Sequence, residues 1–340
     1  MGIILLFIYS SSMKFNCFFA FLLLFVQGSF AQRTCFNHLD VSATFGTTGL
    51  GVEVSSPLSN MVDLRMGFDA MPHFSFDSNF SVSGMKKDES GNWTEIDNSQ
   101  FERMASLAES ITSIHVKDHV VMESTPSLYN FKLLVDVYPF KSNKNKYISN
   151  IYFTAGFYLG NSKVGETVNA REYSQSLSAV NIYNSQFERF TVLDKDGISY
   201  YDINPFYGDI YLSPDVVATL RGKFLSYGQM GVHVGDFKDT GEPYLMKPDA
   251  DGLVSAVMKV NAFKPYVGAG YMYELGQGWK VSADLGVLIW GGKPQVITHE
   301  GVDIANDVKN VRGQIGDYID VISKFGVYPV LNFKISKRIF

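Results

Sequence analysis

Cysteine is almost missing from this chain. Cys17 and Cys35 are the only two, and Cys17 sits inside an N-terminal apolar run that reads as a cleaved leader. Cys35 would then stand alone, which excludes an intrachain disulfide framework. An excess of basic residues is missing too. Lys and Arg number 29 against 34 Asp and Glu, for a net charge of -5, which argues against nucleic acid as a partner. Beyond the leader there is no uninterrupted apolar stretch of the about 20 residues that a membrane-crossing helix needs. Mean hydropathy is +0.01. These absences exclude a helical membrane protein but not a β-barrel, whose strands alternate lipid-facing and interior residues and so average to neutral.

Short catalytic signatures are missing as well. There is no G-x-S-x-G elbow and no Walker loop. His115 and His119 stand four apart, a metal-ligand spacing on a helix, but no third ligand accompanies them and residues 116–122 read equally as strand. Asp194-Lys195-Asp196-Gly197 and Asp249-Ala250-Asp251-Gly252 have the opening of a calcium loop without its distal Glu, so turn chemistry accounts for them. The expectation is no enzyme, no cofactor and no metal.

The N-terminal segment reads as a secretory signal over residues 1–31. Met13 and Lys14 precede the apolar run 15–26, and Ser29 and Ala31 supply small residues before a cut ahead of Gln32. Met1 and Met13 both remain open as the start. A transmembrane helix over 1–26 is the rival reading, weakened by Ser10, Ser11, Ser12, Lys14 and Asn16. Residues 32–340 then form the working domain.

What that domain has in abundance is alternation. From Trp279 to Ile289 the odd positions are Trp, Val, Ala, Leu, Val and Ile, against Lys280, Ser282, Asp284, Gly286 and Leu288. The same period of two runs through 263–273, 151–159, 129–137 and 62–70, and a strand-like run from Val327 carries the chain to Phe340. Such patterning is strand. Aromatics near the strand ends (Tyr129, Phe263, Tyr271, Tyr273, Trp279, Trp290) fit interfacial girdles. Charges and glycines in mid-strand fit a narrow packed interior better than the wet face of a sandwich.

Between His38 and Ser56 the apolar phase switches from odd (Val41, Ala43, Phe45) to even (Leu50, Val52, Val54) across Gly46-Thr47-Thr48-Gly49. A turn there gives eight strands. A bulge there gives seven, unless residues 253–273 split at Pro265. Long connections of about 72–126, 161–252 and 291–324 alternate with short ones. The expected fold class is therefore all-β: an antiparallel transmembrane β-barrel of eight strands, with long extracellular loops containing one or two short helices. Helical periodicity appears at 100–111 (Phe101, Met104, Leu107, Ala108, Ile111) and at 303–322 (Ile304, Val308, Val311, Ile315, Ile319, Ile322).

The segments Thr44-Phe45-Gly46-Thr47-Thr48-Gly49-Leu50-Gly51-Val52-Glu53-Val54, Leu64-Arg65-Met66-Gly67-Phe68, Lys264-Pro265-Tyr266-Val267-Gly268-Ala269-Gly270-Tyr271 and Tyr328-Pro329-Val330-Leu331 resemble uncharacterised outer-membrane β-barrel proteins of the Bacteroidetes type. The resemblance covers the strands, about a third of the chain, and implies a porin-like fold in the bacterial outer membrane without an activity. One departure concerns the last strand. Phe340 is out of phase with the apolar face formed by Leu331, Phe333, Ile335 and Ile339, which weakens it as an assembly signal.

On this phase the lumen holds a charge network of Glu53, Asp63, Arg65, Asp69, Lys132, Asp136, Lys264, Glu274, Lys280 and Asp284, joined by Lys334 and Arg338. Unpaired buried charge is expensive, so the expectation is a salt-bridged plug and a structural or surface-interaction role through the loops. The alternatives are a small passive channel or carrier for small or lipophilic molecules, and a lipid-modifying outer-membrane enzyme. The implied partners are outer-membrane lipid, the barrel-assembly machinery during insertion, and an extracellular ligand or protein met by the loops. The chain is expected to be a monomer. Residues such as Tyr200, Tyr201, Phe206 and Tyr207 offer a binding surface or pack the loops on themselves.

Overall fold

The computed structural model describes residues 37–88, 90–312 and 326–339. The leader, Cys35, Phe340 and half of the helix expected at 303–322 lie outside them. In chain order the strands are β1 (Asp40–Gly46), β2 (Gly49–Ser59), β3 (Val62–Ala70), β4 (Phe76–Lys87), β5 (Trp93–Glu95), β6 (His119–Pro126), β7 (Tyr129–Val137), β8 (Ile151–Gly160) and β9 (Lys163–Asn169). They continue with β10 (Phe206–Tyr207), β11 (Ile210–Tyr211), β12 (Gln229–Phe237), β13 (Pro243–Met246), β14 (Ser255–Lys259), β15 (Phe263–Gly276), β16 (Trp279–Ile289), β17 (Gln295–Thr298), β18 (Val308–Lys309) and β19 (Val327–Arg338). The longer helices are α1 (Asn98–Thr112), α2 (Ser174–Thr191) and α3 (Pro214–Tyr227). No helix among the described residues is long and apolar enough to cross a membrane, which says nothing of strands.

Eight antiparallel strands close into a barrel in the order β1-β19-β16-β15-β8-β7-β3-β2. The phase switch near Gly46 is a turn. β1 and β2 pair from Asp40↔Ser55 to Gly46↔Gly49, and Gly49 takes φ 105°, where a side chain would be strained. Closure comes from β1 against β19, with Asp40 opposite Arg338 and Phe45 opposite Phe333. Pro265 does not split its strand: β15 runs through it, and the preceding β14 belongs to a second sheet.

Burial follows the pleat. In β19 Val330, Asn332, Lys334 and Ser336 are buried, while Leu331, Phe333 and Ile335 are exposed. Leu285 is 67% exposed and Val52 63%, yet Lys132 and Lys264 are 0%. That is the reverse of a water-soluble protein, which hides its aliphatics and shows its lysines.

The three long connections are more than loops. They build a nine-stranded sheet in the order β13-β12-β4-β6-β9-β14-β17, with β5 on β4 and β18 on β12. Several of its strands prolong barrel strands past a short break, and backbone bonds bridge the break. Ser127 donates to Val164 at 2.9 Å, Met71 to Leu128 at 2.8 Å and Val260 to Ser162 at 2.9 Å. The Asn161 side chain ties the same joint, accepting from Tyr129 N at 2.9 Å and donating to the Ser127 carbonyl at 2.6 Å.

The three helices cover this sheet. Met104 and Ala108 of α1, Val180 and Tyr183 of α2 and Phe224 of α3 are buried with Val120, Met122, Met230 and Val232 of the strands. Asp97 caps α1 by accepting from Gln100 N at 2.8 Å, and Ser113 ends it with φ 59°. The helix expected at 100–111 is therefore present. The one expected at 303–322 is not present over its described part. Residues Ile304–Asp307 make one helical turn, then Val308–Lys309 pair with β12 and Asn310 takes φ 54°. Ladder bonds to β12 hold that stretch extended against its helical periodicity.

Candidate functional site

The end of the barrel carrying the β2–β3, β7–β8 and β15–β16 connections is here the turn end; the other, which carries the tight β1–β2 turn and from which the second sheet rises, is the body end. Between them the inward positions form one connected ionic cluster. Arg65 of β3 is its centre. Nη1 lies 2.8 Å from Asp284 Oδ2 and 3.5 Å from Glu53 Oε2, and Nη2 lies 3.2 Å from Asp136 Oδ1. Lys132 pairs with Glu53 and lies 2.7 Å from Asp69 Oδ1. Lys334 adds a longer contact to Glu53 Oε2 at 3.8 Å.

Neutral donors add to three of the carboxylates, Asp284, Asp136 and Asp69. Tyr152 donates its hydroxyl to Asp284, and Thr154 donates to Asp136 at 2.7 Å. Thr44 and Thr48 donate to Asp69 at 3.2 and 3.0 Å. These donors matter energetically, because taking an ion out of water costs several kcal/mol and pairing alone rarely restores it.

The residues expected in the lumen divide by position. Glu53, Arg65, Asp69, Lys132, Asp136 and Asp284 meet in the cluster just described. Lys264 is buried apart from it, donating to Asn130 Oδ1 and the Asn161 carbonyl, both at 3.2 Å. Lys280 sits at the turn end, 2.6 Å from Asp40 Oδ2, where Arg338 also approaches. Asp63 is half-buried there and, with Asp40, Asp136 and Lys280, lines a polar cavity of about 20 Å³. Glu274 is exposed, in the last residues of β15 beyond the barrel interior.

Tyrosines fill what the charges leave. Tyr158 and Tyr266 pack with ring centroids 5.5 Å apart, among Leu134, Leu288, Trp290 and Val330. This apolar group lies toward the body end. Trp290 therefore faces inward, stacked on Tyr328 at 5.6 Å, rather than outward in a girdle. Glycine makes room for the rings. A Cβ on Gly270 would stand 2.3 Å from Tyr152 Cζ, and one on Gly286 2.5 Å from the Tyr266 hydroxyl.

Sequence phase already places Tyr152 and Tyr158 on the inward face. Asp40 and Tyr266 share the inward phase of Ser42 and Lys264 and were legible by the same rule, although charge alone does not flag a tyrosine.

The other motifs fall elsewhere. His115 lies 3.2 Å from Glu109 and exposed, whereas His119 contacts Asp118 at 2.8 Å and Tyr173 at 3.3 Å. Among the described residues no group of three or more His, Cys, Asp or Glu could hold a metal ion. Asp194 and Asp249 each accept two backbone N–H groups from their own turns. Of the aromatic stretch, Tyr201 is buried and donates to Gln186 at 2.6 Å, while Tyr200, Phe206 and Tyr207 are exposed.

No protein-family model matches this chain, and no curated protein does. Among solved structures it is similar to CarO2 of Acinetobacter baumannii, at 13% identity and a TM-score of 0.41, over 88% of this chain and 98% of that one. CarO of the same organism gives 13% identity and a TM-score of 0.40, over 88% and 97%. A major outer membrane protein of Thermus thermophilus gives 10% and 0.25, over 88% and 98%. The barrel assignment rests on this chain's own strand pairing.

Proposed function

We propose that the chain is a monomeric outer-membrane β-barrel of the Bacteroidetes type, with a plugged lumen and a surface-interaction role carried by the sheet-and-helix body at one end. The observation that carries this reading is the inverted burial of the barrel. An exposed aliphatic and aromatic belt surrounds a buried ionic centre, an arrangement stable where the surrounding solvent is hydrocarbon. The turn end then faces the periplasm and the body faces outward.

The plug follows from the same centre. Eight strands leave an interior just wide enough for side chains, and here Arg65, Lys132, Tyr138, Tyr152, Tyr158, Tyr266 and their partners occupy it. We assign the barrel the role of anchor and no catalytic role. A second reading, a small passive conduit, draws on the polar cavity at the turn end, which Asp136 and Lys334 of the lumen cluster border. Planar-bilayer recording separates the two. The plugged reading expects no single-channel steps at neutral pH, and regular steps from the purified protein would replace it with the conduit.

A further inference from the structure

On the outward body, β5 on β4 and β13 on β12 leave a cleft of about 330 Å³, within the size range of small-molecule sites. Three of its lining residues are aromatic: Trp93, Phe237 and Tyr244. The Phe237 and Tyr244 rings are tilted against each other at 5.1 Å. Trp93 already draws the ammonium of Lys87 to 5.3 Å from its ring centre.

The charged residues at the cleft are not equivalent. Lys247 is engaged by Glu188 at 3.1 Å. Glu300 is a brace: Oε2 accepts the Tyr244 hydroxyl at 2.7 Å and Oε1 the Lys247 backbone N–H at 3.3 Å. Burial pushes the Tyr244 phenol up, and although the hydrogen bond with Thr298 at 3.0 Å opposes this, the bond to Glu300 adds to it, so this hydroxyl stays a donor. Glu242 differs from both, because its carboxylate has no hydrogen-bond or ion-pair partner among the described residues while it lines the cleft.

Rings attract a cation through their quadrupole, and a neighbouring free carboxylate adds the counter-charge. We propose that this cleft binds a small organic cation with an apolar body, of the alkylammonium or quaternary ammonium class. The rings take the cationic head and its methyl groups, Glu242 balances the charge, and Glu300 holds Tyr244 in place. The assignment rests on the reading of the outward body as the ligand-facing part, and it names the chemistry that part recognises. A neutral sugar would use the same rings but brings no cation for Glu242 to balance.

The test is calorimetric titration of the full barrel in non-ionic detergent with four probes: choline, tetramethylammonium, glucose and the neutral choline isostere 3,3-dimethylbutan-1-ol. Both cations are expected to bind, with choline at least about 10-fold tighter than the isostere. Glu242→Gln, at an exposed position that tolerates the change, should weaken choline about 5- to 10-fold and leave the isostere unchanged. Trp93→Ala should weaken both cations, with barrel folding checked by heat-modifiable gel mobility. Equal binding of choline and isostere, binding of glucose without the cations, or binding of none of the four would overturn the proposal. Membrane insertion and conductance do not enter this measurement, so its failure leaves the barrel reading standing, and a failure of that reading leaves these titrations interpretable.

Discussion

Arg65 and Asp284 meet at 2.8 Å although their strands, β3 and β16, stand four apart in either direction around the eight-stranded ring. The pair therefore spans the lumen. Replacing Arg65 by Met leaves Glu53, Asp136 and Asp284 without their shared cation, and breaking a buried pair from one side costs about 3–5 kcal/mol. Urea unfolding in lipid vesicles, read by gel mobility, is expected to register that loss. A cycle with Asp284→Asn should show coupling of at least about 1 kcal/mol, since the two groups share one network. Additive single effects would mean the contact does not hold the barrel across its width.

The glycine contacts make a packing prediction of a different kind. Gly270→Ala would set its new methyl against the Tyr152 ring, and overpacking of this sort costs about 1–3 kcal/mol. Tyr152→Ala removes the obstacle, but it also removes the hydroxyl that Asp284 accepts. The double variant should therefore be more stable than the sum of the two single losses predicts. Vesicle unfolding of all three variants checks it, and strict additivity would place the ring elsewhere.

Which parts of this architecture were legible follows from how each strand meets its surroundings. β16 and β7 announce themselves because an exposed apolar face lies on one side and a charged interior on the other, so Lys280 and Asp284, or Lys132 and Asp136, stand out against it. The second sheet has no such contrast. β14 and β17 are five and four residues long, and the order of strands across the sheet departs from chain order, so nothing local marks the pairings. Helix α2 hides for another reason: its buried side includes Ser176, Asn184 and Gln186. Asn184 is held there by two bonds to the Met230 backbone, accepting at 2.9 Å and donating at 2.7 Å, and polar residues satisfied by tertiary partners erase an amphipathic stripe. Glu274 misled for the opposite reason, since the alternation runs two residues past the point where the barrel interior ends.

The joint between barrel and body depends on Asn161, whose amide bonds on both sides of the break. Asn161→Ala removes at least two side-chain bonds, each worth about 0.5–1.5 kcal/mol net. Hydrogen exchange should show faster opening of β9 and of the start of β7, with the remaining barrel strands unchanged. Uniform change through the barrel would make Asn161 a part of global stability instead of a hinge tie.

Acid should loosen one corner of the body before the barrel. Burial raises the Glu95 carboxyl, but hydrogen bonds from Arg312 and His233 outweigh it and hold the group below the usual carboxylate range. Arg312 approaches at 2.8 and 3.2 Å and His233 at 3.3 Å. A depressed pKa means that the stabilisation is complete above the unfolded value of about 4.3 and is lost as pH falls through the folded one. Exchange at residues 309–312 should thus accelerate between about pH 4 and lower values, and Glu95→Gln should show the faster exchange already at neutral pH. Rates insensitive to both changes would count against the tie.

The sharpest test of the membrane reading is Leu285→Arg. Leu285 lies at the middle of β16 with two-thirds of its surface exposed. On a water-soluble protein such a substitution exchanges a wetted leucine for a wetted arginine and falls within about 0.5 kcal/mol of neutral. On a barrel wall at the bilayer midplane it costs about 2–4 kcal/mol, falling toward zero near the interfaces. Lys substitutions along β16, at Trp279, Ala283 and Leu285, should therefore trace a depth profile, with the loss largest in mid-strand and small at Trp279. Reversible unfolding from lipid vesicles provides the profile. A flat profile, or wild-type protein that stays folded and monodisperse without detergent, would remove hydrocarbon from the argument and with it the reason for turning Leu285 outward and Arg65 inward.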